Sequence, residues 1–100
     1  MARRIIIVGS GGRLGAALLR EWRLQGDDVT GLNRALLDLT DFRQIHDRLE
    51  PLDFDVLVNC AALTNVDRCE QEPVEAFRIN SDAVATMADI CTRKKARCVH

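Results

Sequence analysis

The sequence predicts an α/β domain built on a doubly wound parallel sheet, and three observations carry that reading. Strand-like and helix-like segments alternate along the whole chain with short connections. The first strand, residues 4–8 (RIIIV), is continuously apolar and β-branched from Ile5 to Val8, as expected of a strand buried on both faces. A glycine-dense stretch, Gly9-Ser10-Gly11-Gly12-Arg13-Leu14-Gly15, joins that strand to the first helix. The handedness of parallel crossovers suggests the strand order 3-2-1-4.

Each element follows from its own pattern. Residues 13–25 switch to helical period, with Leu14, Leu18 and Trp22 on one face, and Gly26 ends the helix. Residues 28–32 (DVTGL) read as a second strand. Residues 40–50 read as a helix with Thr40 as N-cap and Phe42, Ile45 and Leu49 on one face, closed by Pro51. Residues 55–59 (DVLVN) form a third buried strand. After a loop, Pro73 opens a long helix to about residue 94, with Phe77, Asn80, Val84, Met87, Ala88 and Cys91 sharing a face. Residues 96–100 (ARCVH) begin a fourth strand. The chain stops inside it, so residues 1–100 are expected to be the N-terminal part of a larger domain, truncated after the start of strand four.

Composition narrows the function. The 100 residues are 47% hydrophobic and 29% charged with a formal net charge of -1. That is the balance of a globular protein, and it offers no electrostatic case for nucleic acid or an anionic membrane. No apolar run approaches a membrane span or a signal-peptide core, so a cytoplasmic protein is expected. The four cysteines, Cys60, Cys69, Cys91 and Cys98, show neither a C-x-x-C pair nor zinc-like spacing with His46 or His100. They read as small hydrophobes, and no metal site is expected.

The glycine loop points to a dinucleotide. Gly9, Gly12 and Gly15 make G-x-x-G-x-x-G at the carboxyl end of strand one, the ligand-binding edge of such sheets. Gly9 suits a tight turn, Gly12 lets backbone approach a pyrophosphate, and Gly15 lets helix pack on strand. The helix N-terminus then offers N–H groups to the anion. No G-K-[ST] follows, which excludes a P-loop. With this motif the class becomes a Rossmann-type fold. The acidic residue expected to bind the ribose diol after strand two is replaced by Asn33, followed by Arg34. A 2′-phosphate would pair with Arg34 or Arg13, so NADP(H) is preferred and NAD(H) stays open. Solvated surface arginines are the plainer alternative.

The stretches GSGGRLGAALL, NRALLDLTD and DVLVNCAALTNVDRCEQEPVEAFRIN resemble the N-terminal third of the dTDP-4-dehydrorhamnose reductase family, within the extended short-chain dehydrogenase/reductases. The most specific part is N-C-A-A-x-T-x-V-D-x-x-E-x-E-P. The resemblance implies NADPH-dependent reduction of a 4-keto nucleotide sugar in dTDP-L-rhamnose synthesis. It implies that Gly12, Arg13 and Leu14 line the pyrophosphate, and Asn33 and Arg34 the ribose end. It also matches Asp38 and Leu39 to an adenine contact, and Ala62, Leu63 and Thr64 to the loop passing the ribose and nicotinamide. Ala61 and Ala62 are small enough for a cofactor to lie over the strand end.

Alternatives remain for several of these residues. Asp38 serves equally as a turn residue ahead of Thr40. Asp67 and Glu70 serve either substrate positioning or local capping. Asn80 is either a satisfied structural amide or a residue holding water near the reaction. The family's Ser/Thr and Tyr-x-x-x-Lys are expected beyond the chain end, and the chain contains no tyrosine. No catalytic residue is therefore assigned within residues 1–100, and this segment alone is expected to be inactive. The same stretch resembles the regulatory β subunit of methionine adenosyltransferase, and a sugar-nucleotide epimerase or dehydratase is a further alternative. The expected partners are a nucleotide-sugar substrate and, through an open sheet edge, a homodimer mate.

Overall fold

A computed structural model describes residues 3–61 and 73–99; for residues 73–80 the backbone alone is described. Seven elements follow in order: β1 (Arg4–Val8), α1 (Arg13–Leu24), β2 (Asp28–Leu32), α2 (Phe42–Leu49), β3 (Val56–Asn59), α3 (Pro73–Lys94) and β4 (Arg97–Val99). All three strand pairings are parallel. The α/β class and the doubly wound sheet are as the sequence predicts.

The strand order is not. The sheet runs β2-β1-β3-β4, so the third strand pairs with β1 (Ile6 opposite Leu57) rather than lying outside β2. Helix placement explains the difference. From α1, Leu18, Leu19 and Trp22 pack over Ile5, Ile7, Val29 and Val58 on one face of the sheet. From α2, Ile45 and Leu49 pack with Ile6, Val8 and Leu57 on the other. Two right-handed crossovers that use opposite faces must run in opposite directions. The chain leaving β2 therefore passes back over β1 and enters on its far side. Helix α3 lies on the same face as α2 through Ala83, Met87, Ile90 and Cys91, and continues in that direction to β4.

Local chemistry fixes the ends of the elements, with three corrections. The N-cap of α2 is Asp41, not Thr40: its carboxylate accepts from the N–H groups of Arg43 (3.1 Å) and Gln44 (3.4 Å). Thr40 instead donates through both backbone N–H and hydroxyl to Asp38. Phe42 is 38% exposed, because Ile45 and Leu49 already fill the buried stripe of a two-turn helix. Leu14, expected on the packed face of α1, is 48% exposed at its first turn.

Two helices end in the same way. After α1, Gly26 N–H bonds to the Arg23 carbonyl and Asp27 N–H to that of Trp22, with Gly26 at φ 91°. After α3, Lys95 N–H bonds to Thr92 and Ala96 N–H to Cys91, with Lys95 at φ 59°. Both are Schellman closures. The second forces a left-handed conformation on a residue with a Cβ.

The ends of α2 and α3 are tied together. Lys94 Nζ donates to the carbonyls of Glu50 (2.8 Å) and Leu52 (2.9 Å) and sits 5.7 Å from the centre of the Phe54 ring. Arg93 pairs with Glu50 at 2.6 Å. At the amino ends of the strands, Arg3 pairs with Asp27 and Arg4 with Asp55. Hydrogen bonds from these arginines hold the carboxyls of Glu50 and Asp27 below their ordinary values. Asp55 is held low first by the Arg4 backbone N–H and then by its side chain. No helix of the described residues is long and apolar enough to cross a membrane.

Two outcomes follow from these contacts. Carboxylates depressed in the folded state contribute stability that is fully present above their unfolded pKa of about 4 and is lost as pH falls through the folded values. Urea midpoints measured from pH 7 to pH 2 should therefore hold steady and then drop below about pH 4, with a shallower drop in Arg93→Gln. Lys95→Gly relieves the left-handed strain and should raise stability by about 1 kcal/mol in the same assay.

Candidate functional site

The loop between β1 and α1 sits where the crossovers diverge from β1, with the end of β2 on one side and the end of β3 on the other. Backbone bonds hold it there. Gly9 N–H reaches the Leu32 carbonyl at 2.8 Å, and Gly12 N–H closes on the Gly9 carbonyl at 3.2 Å. Gly9 lies at φ 83°, and a Cβ on it would come within 2.7 Å of the Ala61 nitrogen. A side chain at Gly15 would strike the Gly9 carbonyl and come within 2.9 Å of the Ser10 Cα. These two positions admit glycine alone. Gly11 is different: the nearest atom to a Cβ there is Asn33 Cβ at 3.6 Å. The glycines that backbone packing requires in this loop are Gly9 and Gly15.

Gly12 is the N-cap residue of α1, and among the described residues no side chain caps this helix or places an acid in its first turn. The first N–H groups of a twelve-residue helix are thus directed out of the loop beside Arg13. That is an arrangement suited to an anion.

Of the remaining predicted residues, Ala61 is buried at the end of β3 beneath Gly9, and Asn33 and Arg34 are exposed just past the end of β2. Asn33 is partly committed: its side-chain oxygen accepts the Leu36 N–H at 3.1 Å. Because a backbone N–H donates to it, the end turned into the turn is the carbonyl and the end left over is the NH2. Leu39 packs against the core cluster that contains Val8, Leu32 and Ala61. The Asp38 carboxylate takes the turn role, accepting from the Thr40 hydroxyl at 2.7 Å and the Thr40 N–H at 3.0 Å. Ala62, Leu63 and Thr64 lie outside the described residues, as do Asp67, Glu70 and the side chain of Asn80.

One residue of the site escaped sequence reasoning. Asn59 is 7% exposed, and its carboxamide oxygen accepts the Ala61 N–H at 3.0 Å. It stands opposite Val8 in the β1–β3 ladder, so it turns the chain out of the sheet directly below Gly9. A lone Asn closing the apolar run Val56-Leu57-Val58 is the signal that marks it. Below this edge, an apolar cavity of about 520 Å³ lies between α1 and the β3–β4 half of the sheet, lined by Leu18, Trp22, Val58 and Val99 among others. It adjoins the loop through Leu14, Asn59 and Cys60 but lies beneath the strand ends, not across them.

The glycine geometry predicts a clear contrast in urea unfolding. Gly15→Ala should lose about 1–3 kcal/mol through overpacking against backbone, whereas Gly11→Ala should change stability by less than about 0.5 kcal/mol.

Comparison with known proteins agrees with this architecture. The family model described as RmlD substrate binding domain matches residues 3–100. The dTDP-4-dehydrorhamnose reductase of Mycolicibacterium smegmatis is 35% identical over 100 residues, which cover 100% of this chain and 30% of that protein. The spore coat polysaccharide biosynthesis protein SpsK of Bacillus subtilis is 33% identical over 97 residues, 97% of this chain and 34% of its own length. A crystal structure of dTDP-4-dehydrorhamnose reductase from Bacillus anthracis, in complex with NADP, superposes with a TM-score of 0.86 at 30% identity. It is matched over 100% of this chain and 36% of its own. The chain thus spans about a third of the length of the relatives it matches. The chain belongs to the RmlD substrate binding domain family.

Proposed function

We propose that this chain is the cofactor-binding part of an NADP(H)-dependent reductase acting on a 4-keto nucleotide sugar, with dTDP-4-dehydrorhamnose as the substrate. The observation that carries the reading is the tight glycine turn, packed backbone on backbone at Gly9 and Gly15, that leads into a start of α1 which no described side chain caps. The resemblance of the Bacillus anthracis reductase, crystallised with NADP, supports it.

Each residue has a task in this reading. The N–H groups at the start of α1 take the pyrophosphate, with Arg13 adding charge at its edge. Ala61, whose N–H is already bonded to Asn59, keeps the end of β3 low enough for a ring system to pass. Leu39 provides an apolar surface toward the adenine, and Asp38 holds the turn that presents it. When bound, the nicotinamide supplies a hydride. By the family resemblance Ala62, Leu63 and Thr64 would contact its ribose and ring, and the reaction takes place in the cytoplasm.

The cofactor preference follows from donors and acceptors. A ribose diol is best matched by a carboxylate at the end of β2, and the residues standing there are Asn33 and Arg34. With the Asn33 oxygen committed to its own turn, the polar groups offered there are the Asn33 NH2 and the Arg34 guanidinium. Both donate only, which suits the acceptor-only oxygens of a 2′-phosphate better than a diol, whose hydroxyl protons would find no acceptor in these two groups.

Titration of the chain with NADPH and NADH, followed by calorimetry, tests both levels. NADPH should bind about tenfold more tightly, and Arg34→Ala should erase most of that difference while leaving NADH binding unchanged. Tighter NADH binding would overturn the preference, and failure to bind either dinucleotide would overturn the proposed function.

A further inference from the structure

Two cysteines face each other across the junction of α3 and β4. Cys91 is 1% exposed on the inner face of α3. Cys98, opposite Leu57 in the β3–β4 ladder, is half-buried and packs against the same cluster. Their thiols are in side-chain hydrogen-bond contact. The backbone on either side is fixed, by Ala96 N–H to the Cys91 carbonyl at 2.8 Å and by Arg97 N–H to the Asp55 carbonyl at 2.9 Å. The sulfurs are therefore held together by a closed helix end and a paired strand.

Their surroundings divide the work between them. Burial, with a smaller contribution from Cys98, pushes the Cys91 thiol up to about 12. Burial also raises Cys98, but the hydrogen bond from Cys91 pulls it back down. The more exposed sulfur is thus the one that ionises first. In a thiol pair, that is the attacking partner, and the buried one resolves.

We infer that Cys91 and Cys98 are a redox-closable pair, oxidised by a low-molecular-weight disulfide to an intramolecular bridge that staples α3 to β4 and reopened by excess thiol. The Cys98 thiolate attacks one sulfur of the disulfide RSSR, forming Cys98–S–S–R and expelling RS⁻. Cys91 then loses its proton and attacks the Cys98 sulfur, forming the Cys91–Cys98 bond and expelling the second RS⁻. Two electrons pass from the pair to the disulfide, which leaves as two thiols carrying the two protons. Closure brings sulfurs already in contact to about 2.05 Å. Cys60, pushed up by burial alone, is the internal comparison.

The test equilibrates the folded chain with a series of oxidised-to-reduced glutathione ratios, blocks remaining thiols with N-ethylmaleimide and maps peptides by mass spectrometry. The expected product joins Cys91 to Cys98 with Cys60 recovered blocked, and melts several degrees above the reduced chain. Cys91→Ser, or Cys91→Ala where serine disturbs the core, should stop at a mixed disulfide between Cys98 and glutathione. Recovery of both residues as blocked thiols at the most oxidising ratio, with far-UV circular dichroism intact, would overturn the inference. So would an unmodified Cys98 in the Cys91 variants, or a dominant bridge between any other pair.

Discussion

At the end of β1 three backbones meet with no side chains between them: Gly9, the Cys60–Ala61 peptide and the first turn of α1 at Gly15. This close approach sets the angle at which α1 leaves the sheet and hence the face it covers. With α1 committed to the Ile5 and Ile7 side, the Ile6, Val8 and Leu57 side is left for α2 and α3. The close seating of α1 on β1 and the exposed start of that helix both depend on it. A methyl group at either glycine would push apart elements that the rest of the core holds together.

Much of this was legible in the sequence because it is local. Four apolar, β-branched residues, Ile5 to Val8, followed by glycine at three-residue spacing specify a buried strand, a turn and a helix start, and each lies where expected. The family resemblance read from the glycine loop and the Asn59–Pro73 stretch agrees with the matched family model. Strand order was not legible, because it depends on which face of the sheet α2 covers. That is decided by Ile45 and Leu49 meeting Leu57, not by anything within residues 33–55 alone. The exchange of Thr40 for Asp41 as the cap has a similar origin. Asp38 draws the Thr40 hydroxyl away, so the next side chain with an acceptor takes the helix N–H groups.

Asn59 shows a different limit. A single amide at the end of an apolar strand reads as an ordinary strand terminus until its neighbour across the ladder is known. Opposite Val8 and below Gly9, it becomes the residue that turns β3 aside and satisfies Ala61 where backbone crowding is greatest. Lys95 is the mirror case, a residue whose local cost is accepted because Ala96 and Arg97 must reach their partners on Cys91 and Asp55.

Helices α1 and α2 both follow strands of one parallel sheet, so their N-termini open on the same rim, yet they differ in one respect. Asp41 fills the mouth of α2 with the protein's own negative charge, while Gly12 leaves that of α1 without a cap among the described residues. A rim with two equivalent positive ends would let a diphosphate settle in either of two registers. With one of them neutralised, a dinucleotide held as proposed would have a single orientation, its direction along the sheet edge decided before any ring makes contact.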